Sequence, residues 1–123
     1  MRTRTILAAA AVLASIVPHS AAAATCEVFR QPLPFAMTTL VEMVVLSGKD
    51  CRVRFPDDEI FAITSNEITA RPLYGGVRAQ GTATAYYRSN PGFKGRDRFT
   101  FTLCGTDAGR EGCTNVRVKV LVR

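Results

Sequence analysis

Apolar and polar residues alternate in strict order along the last part of the chain. Residues 116–123 read VRVKVLVR, so that every second residue is valine. Residues 98–103 read RFTFTL and alternate in the same way, with phenylalanine and leucine at the apolar positions. A period of two is typical of a half-buried β-strand, because successive side chains point to opposite faces of the sheet. The pattern predicts two strands that bury Phe99, Phe101, Leu103 and the valines at 116, 118 and 120.

The middle of the chain consists of short apolar stretches separated by turn residues. Residues 82–88 (TATAYYR) are rich in β-forming residues, and residues 90–95 (NPGFKG) then predict a tight connection. Weaker strand candidates are residues 40–46, 51–55, 60–64 and 77–79. Prolines at 32 and 34 make residues 33–35 an extended segment.

Residues 39–46 (TLVEMVVL) also fit two helical turns, but their valines favour a strand. Several short strands with turns between them are typical of an all-β fold. We therefore expect an antiparallel two-sheet sandwich of the immunoglobulin-like kind, stapled by disulfides.

The first 24 residues have the order of features of a secretory signal peptide. Arg2 and Arg4 precede an apolar stretch at 6–17, and alanines at 21–24 offer a cleavage site after Ala23 or Ala24. The apolar stretch is shorter than the roughly 20 residues of a membrane-spanning helix. We therefore expect an exported, periplasmic or extracellular protein whose single mature domain is residues 25–123. Two of the sixteen basic residues precede the cleavage site, so fourteen face ten acidic ones and the net charge is +4.

All four cysteines lie in the mature part, and an even number in a small exported domain is typical of disulfides. Of the three connectivities we favour Cys26–Cys51 with Cys104–Cys113. The second pair would close a short loop, residues 105–112, between strands that should be neighbours. A four-cysteine zinc site is the alternative, but no C-x-x-C pair is present to begin one.

The residue types of the mature part exclude several kinds of catalysis. The single histidine, His19, lies in the predicted signal peptide, which leaves no histidine for a catalytic triad, a general base or a mixed zinc site. No G-x-S-x-G elbow and no phosphate-binding glycine loop is present. The acidic residues 57–59 fit a turn after Pro56 better than a calcium site, because the D-x-D-x-D-G pattern is missing. We predict a protein that is not an enzyme and that needs no cofactor or metal.

Residues 87–101 (YRSNPGFKGRDRFTF) carry a distinctive motif in which a tyrosine ends one strand and Pro-Gly-Phe and Gly-x-Asp-x-Phe follow. Its members are Tyr87, Gly92, Phe93, Gly95, Asp97 and Phe99. Together with residues 68–77 and the final strand, the motif resembles bacterial immunoglobulin-like and cadherin-like domains over about residues 68–122. Ser89 stands where that family usually has proline. The resemblance implies a binding or structural module, here a stand-alone, disulfide-bearing variant.

The residue types of this motif predict a tight corner between two strands. Its glycines allow a tight corner, and Asp97 can accept hydrogen bonds from backbone N–H groups across it. Phenylalanines at 93, 99 and 101 can fill the core beneath it.

Cations occupy the outward positions of the predicted strands. Arg98, Arg117 and Lys119 should lie on neighbouring strands and form a candidate binding face. Its partner would be a protein or an anionic envelope polymer; a net charge of +4 does not indicate nucleic acid. Ordinary solvated strand faces explain the same cations. A second functional hypothesis is a small inhibitor or effector that inserts the 105–112 loop into a partner protein.

Overall fold

The structure, a computed structural model, describes residues 11, 25–30, 38–57, 59 and 61–123. Within them the chain forms eight β-strands: β1 (Cys26–Arg30), β2 (Thr38–Val45), β3 (Asp50–Arg54), β4 (Phe61–Ala70), β5 (Gly75–Gln80), β6 (Thr84–Ser89), β7 (Gly95–Asp107) and β8 (Arg110–Val122). They build a five-stranded sheet in the order β1-β2-β8-β7-β4 and a three-stranded sheet in the order β3-β6-β5. The predicted all-β, two-sheet fold is confirmed.

Some predictions fall on parts of the chain that the structure does not describe. The predicted signal peptide, residues 1–24, lies outside the described residues apart from Ala11, and so does the 33–35 segment. The same holds for Asp58 and Ile60. In the described part of the chain, no helix is long and apolar enough to cross a membrane.

Strands β7 and β8 form the centre of the larger sheet. They pair antiparallel from Gly95 opposite Val122 to Asp107 opposite Arg110. The valines at 116, 118, 120 and 122 and the apolar residues at 99, 101 and 103 are at most 2% exposed, as the alternation predicts. Each fully buried side chain of this size contributes about 1.5–3 kcal/mol.

Strand β2 confirms that residues 39–46 favour a strand over a helix. Val41, Met43 and Val45 point inward and are each 1% exposed. β2 pairs antiparallel with β1 but parallel with β8, so one pairing among the described strands departs from the expected antiparallel arrangement. No tight turn joins β2 to β8, and a long connection between two strands allows either direction of pairing.

Two strands are poorly signalled by the sequence. β1 was not predicted, because only Cys26 and Val28 are half-buried in this short edge strand. β4 continues from the predicted 60–64 segment to Ala70. Its pairing with β7 shifts register between Ile63 and Ser65 and again near Ala70, and such bulges break the period of two.

The core fills the space between the two sheets. Phe55 and Tyr87 enter it from the smaller sheet, and their rings lie 5.9 Å from Phe101 and 5.7 Å from Phe99. The Cys26–Cys51 disulfide joins β1 of one sheet to β3 of the other, with Cα atoms 5.3 Å apart. Both predicted disulfides are present, and they indicate an oxidising, extracytoplasmic environment.

Residues 105–112 form a paired hairpin and not the predicted loop. β7 and β8 continue their ladder through these residues, and the Cys104–Cys113 disulfide joins direct cross-strand neighbours 4.0 Å apart at Cα. Only Ala108 (φ 48°) and Gly109 (φ 83°) make the turn. Two positive φ angles match the twist of hairpin strands, so a two-residue turn suffices.

Candidate functional site

The outer face of the three-stranded sheet concentrates arginine side chains. β3 buries Cys51 and Val53, so Arg52 and Arg54 point outward. The register of the sheet places Arg52, Tyr86 and Arg78 side by side in one row. We call this surface the arginine face and define it by Tyr86 and the arginines Arg52, Arg54, Arg78 and Arg88.

The charges of the arginine face are largely uncompensated. The guanidinium carbon of Arg78 lies 4.9 Å from the centre of the Tyr86 ring, a cation–π contact. Arg88 Nε lies 2.8 Å from Asp50 Oδ1, and both side chains are exposed. Among the described residues the other three arginines form no ion pair. On the strands of this face four cations therefore share one carboxylate, and a second carboxylate, Asp57, lies at its edge.

Shallow depressions lie on either side of Tyr86. One, of about 470 Å³, is lined by Arg78, Arg88 and Pro91 among others. The other, of about 380 Å³, is lined by Arg52, Arg54 and Asp57 among others. Both are open to solvent, so a ligand would lie across the surface.

The three predicted binding residues do come together, on the outer face of the other sheet. Arg98 lies directly opposite Lys119, and Arg117 lies opposite Thr100, one row along the same strands. On its other side, in the register of the sheet, Lys119 lies beside Glu42 of β2. The predicted adjacency of Arg98 and Lys119 is confirmed; whether this surface binds a partner stays a prediction.

Carboxylates offset the charge on that second surface. Its outward positions include four cations, Arg96, Arg98, Arg117 and Lys119, and four acids, Glu27, Glu42, Glu67 and Glu111. The net charge there is about zero, compared with about +2 on the arginine face when Asp57 at its edge is counted with Asp50. The stronger cationic site is therefore the arginine face.

Asp97 organises the predicted corner between β6 and β7. Its Oδ1 accepts hydrogen bonds from Leu73 N at 3.1 Å and from Arg98 N at 2.9 Å. Its Oδ2 accepts from Tyr74 N at 3.1 Å and from the Tyr87 hydroxyl at 2.8 Å. Asp97 is 8% exposed, and four donors satisfy its buried carboxylate. The capping role expected of Asp97 is confirmed.

The other motif residues build the walls of the same corner. Gly92 and Gly95 have φ angles of 82° and 139°, which side-chain-bearing residues rarely adopt. Phe99 is buried, whereas Phe93 is half-buried and stacks on Tyr74 with ring centres 4.4 Å apart. The corner is thus a structural device that positions the connection 71–74.

Stability at alkaline pH should depend on Tyr87. Burial, and after it the hydrogen bond to Asp97, raise the pKa of Tyr87 well above the ordinary value of about 10. Because folding raises this pKa, the protonated Tyr87 hydroxyl contributes its full stabilisation of the folded state below about pH 10. That contribution is lost as the pH rises further and the hydroxyl is deprotonated. We expect the urea midpoint to fall more steeply above about pH 10 in the wild type than in Tyr87→Phe. Parallel curves for the two proteins would contradict this.

The acidic residues after Pro56 serve a turn, as far as the structure describes them. Asp57 Oδ1 accepts a hydrogen bond from Ile63 N at 3.0 Å, and Oδ2 accepts one from the Thr82 hydroxyl at 3.4 Å. Both oxygens thus bind the chain itself. In the described ranges no group of three or more His, Cys, Asp or Glu residues is arranged to hold a metal ion.

Comparison with known proteins identifies no relative. No family model matches the chain, and no curated protein matches it significantly. Its function is therefore inferred from the arrangement of its own residues.

Proposed function

We propose that this protein is an exported, non-enzymatic immunoglobulin-like module that binds an anionic envelope polymer on its arginine face. The observation that carries the proposal is the row Arg52–Tyr86–Arg78, with Arg54 and Arg88 in the adjoining rows and a single carboxylate among them. The two sheets and the Asp97 corner support the immunoglobulin-like part of the proposal.

The spacing of the arginines suits a ligand with repeated charges. Neighbouring strands lie about 4.8 Å apart, and outward residues along one strand repeat about every 6.6 Å. The guanidinium groups therefore form a grid that several anionic groups of one polymer can contact together. A single exposed ion pair contributes only about 0–1 kcal/mol, so affinity requires several at once.

The residue types also favour anionic groups over neutral ones. Guanidinium groups donate paired hydrogen bonds to carboxylate and phosphate oxygens. Tyr86, between Arg52 and Arg78, offers a flat ring and a hydroxyl to the polymer backbone. The depressions beside Tyr86 are too open to enclose a small molecule, which again favours an extended ligand.

A second candidate function, an inhibitor or effector acting through residues 105–112, draws support from one observation. The Cys104–Cys113 disulfide fixes this hairpin in one conformation, which lowers the entropy cost of binding. Pairing of Phe61 with Asp107, however, keeps β7 in the sheet almost to the turn. Only Ala108 and Gly109 project further, so the hairpin is blunt and the polymer-binding function is better supported.

The decisive experiment compares charge reversal on the two sheet faces. We expect Arg52→Glu with Arg78→Glu to weaken binding to polyglutamate and polyphosphate at least tenfold at low salt. Wild-type binding should weaken steeply as salt rises, because the Debye length falls from about 10 Å at 0.1 M to about 3 Å at 1 M. The melting temperature should change little, since exposed substitutions usually alter stability by less than about 0.5 kcal/mol.

The control is Arg98→Glu with Arg117→Glu, which makes the same change in net charge on the other sheet. Under the proposal this variant should keep affinity within about threefold of the wild type, and uncharged dextran should not bind. A loss confined to the Arg98 and Arg117 variant would show that the other face is the binding surface. Equal affinity in all three proteins would show that the arginines serve solubility only.

A further inference from the structure

Three connections meet at one end of the sandwich: residues 46–49, 71–74 and 90–94. Gly48 N donates a hydrogen bond to the Ser89 hydroxyl at 2.9 Å, and Asn90 N donates one to Tyr74 O at 2.8 Å. These contacts tie the connections into one surface. Its most prominent part, which we call the apolar tip, consists of Leu73, Tyr74 and Phe93.

The apolar tip is both exposed and firmly held. Leu73 is 79% exposed, the highest value among the large hydrophobic side chains described, and Tyr74 is 45% exposed. The backbone N–H groups of Leu73 and Tyr74 donate to the buried carboxylate of Asp97. The Tyr74 ring stacks on Phe93 with an interplanar angle of 8°. The fold thus holds a cluster of apolar side chains at the surface in a fixed position, and contiguous exposed apolar patches are typical of interaction sites.

Cations surround the apolar tip. Lys49, Arg71, Lys94 and Arg96 are exposed at this end, and none of the three connections contains a carboxylate. Of the acids near this end, Asp50 pairs with Arg88, Asp97 is buried, and Glu27 lies on the edge strand β1. The opposite end is acidic, with Asp57, Glu59, Asp107 and Glu111 against Arg54 and Arg110. The charge of the molecule is therefore polarised along its long axis.

We propose that the apolar tip docks the protein end-on to a lipid bilayer with anionic headgroups. Leu73 would enter the boundary of the acyl chains, and Tyr74 with Phe93 would lie at the headgroup level, where aromatic rings are favoured. The surrounding cations would attract anionic headgroups, and the acidic opposite end would be repelled. An exposed apolar tip surrounded by cations suits the surface of an anionic bilayer better than it suits a pocket on another protein. This site shares no residue with the arginine face, which it adjoins at Pro91.

Insertion of the tip into a bilayer can be measured by tryptophan fluorescence, because the chain contains no tryptophan of its own. Leu73→Trp introduces a single reporter at the tip, and Leu40→Trp introduces one at an exposed leucine on the five-stranded sheet. With vesicles of equal phosphatidylglycerol and phosphatidylcholine, we expect a blue shift in emission for Trp at 73 only. Pure phosphatidylcholine vesicles should give a much smaller shift. An unshifted spectrum at 73, or equal shifts at 73 and 40, would overturn the proposal.

Vesicle co-sedimentation tests the residues themselves. Leu73→Asp should weaken binding to the anionic vesicles roughly tenfold to a hundredfold, whereas Leu40→Asp should leave it unchanged. Arg71→Ala with Lys94→Ala should weaken it about 25-fold, since each cation near an anionic surface contributes about fivefold. Unchanged vesicle binding by Leu73→Asp would refute the proposal.

Two further measurements exclude other occupants of the tip. If Leu73→Trp emits at short wavelength without vesicles and the protein sediments as a dimer, a second copy covers the tip and the bilayer proposal is wrong. Reversal of Arg52 and Arg78 should leave the Leu73→Trp blue shift in place. Loss of the shift in that variant would show that lipid binds the arginine face and not the tip.

Discussion

Adding one methyl group at Gly105 should remove a large share of the net stability of the protein. Gly105 is buried in β7 opposite Ile63, and a Cβ at this position would overlap the carbonyl oxygen of Ala62 in β4. The obstacle is backbone, which cannot rotate aside as a side chain can. The first residues of β4 would have to leave the sheet. We expect Gly105→Ala to lower the free energy of unfolding by about 3–5 kcal/mol, out of the 5–15 kcal/mol typical of a domain.

Urea denaturation of the mature domain measures this loss, with Gly76→Ala as the matched control. Gly76 also lies in a strand, but nothing stands within 4 Å of a Cβ built on it. Alanine there should be neutral or slightly stabilising, because it restricts the unfolded chain. Equal stability of the two variants would show that β4 approaches β7 less closely than described.

The sequence predicted those strands whose alternation extends over several residues. β7 and β8 bury one residue in two along most of their length, so period alone identifies them. β1 is a short edge strand with little burial, and the bulges of β4 break its pattern. The parallel pairing of β2 with β8 depends on contacts between distant segments, which no local pattern encodes.

The sequence likewise predicted one part of the candidate site, the Asp97 corner, and missed another, the arginine face. The Gly-x-Asp-x-Phe motif identified the corner, because Asp97 binds the neighbouring Arg98 N as well as more distant groups. The arginine face was missed, although cations were expected at the outward positions of the predicted strands. It forms only when β6 lies between β3 and β5 and brings Tyr86 between them. Likewise, the glutamates that offset Arg98 and Lys119 come from other strands, so their effect could not be foreseen.

The second large effect is expected at Asp97, where each carboxylate oxygen accepts two hydrogen bonds. Asp97→Ala leaves all four donors without this acceptor, and hydrogen bonds to charged groups contribute about 1.5–3 kcal/mol each before partial compensation by water. We expect a loss of about 3–5 kcal/mol in the free energy of unfolding. The exposed Asp50, which pairs with Arg88, is the control, and Asp50→Ala should cost less than about 1 kcal/mol.

Asp97→Asn separates the loss of acceptors from the loss of volume. Whichever way the amide is placed, its NH2 group must face a backbone N–H, because Leu73 N and Arg98 N share one oxygen while Tyr74 N binds the other. The Tyr87 hydroxyl can reverse and accept from the amide, but a backbone donor cannot. We therefore expect a loss of about 2–3 kcal/mol, together with faster amide hydrogen exchange at Tyr74, or at Leu73 and Arg98. If the Asp97→Asn variant keeps wild-type stability and unchanged exchange at all three backbone amides, the asparagine side chain serves as well as the carboxylate. The charged acceptor would then not be what holds the connection 71–74.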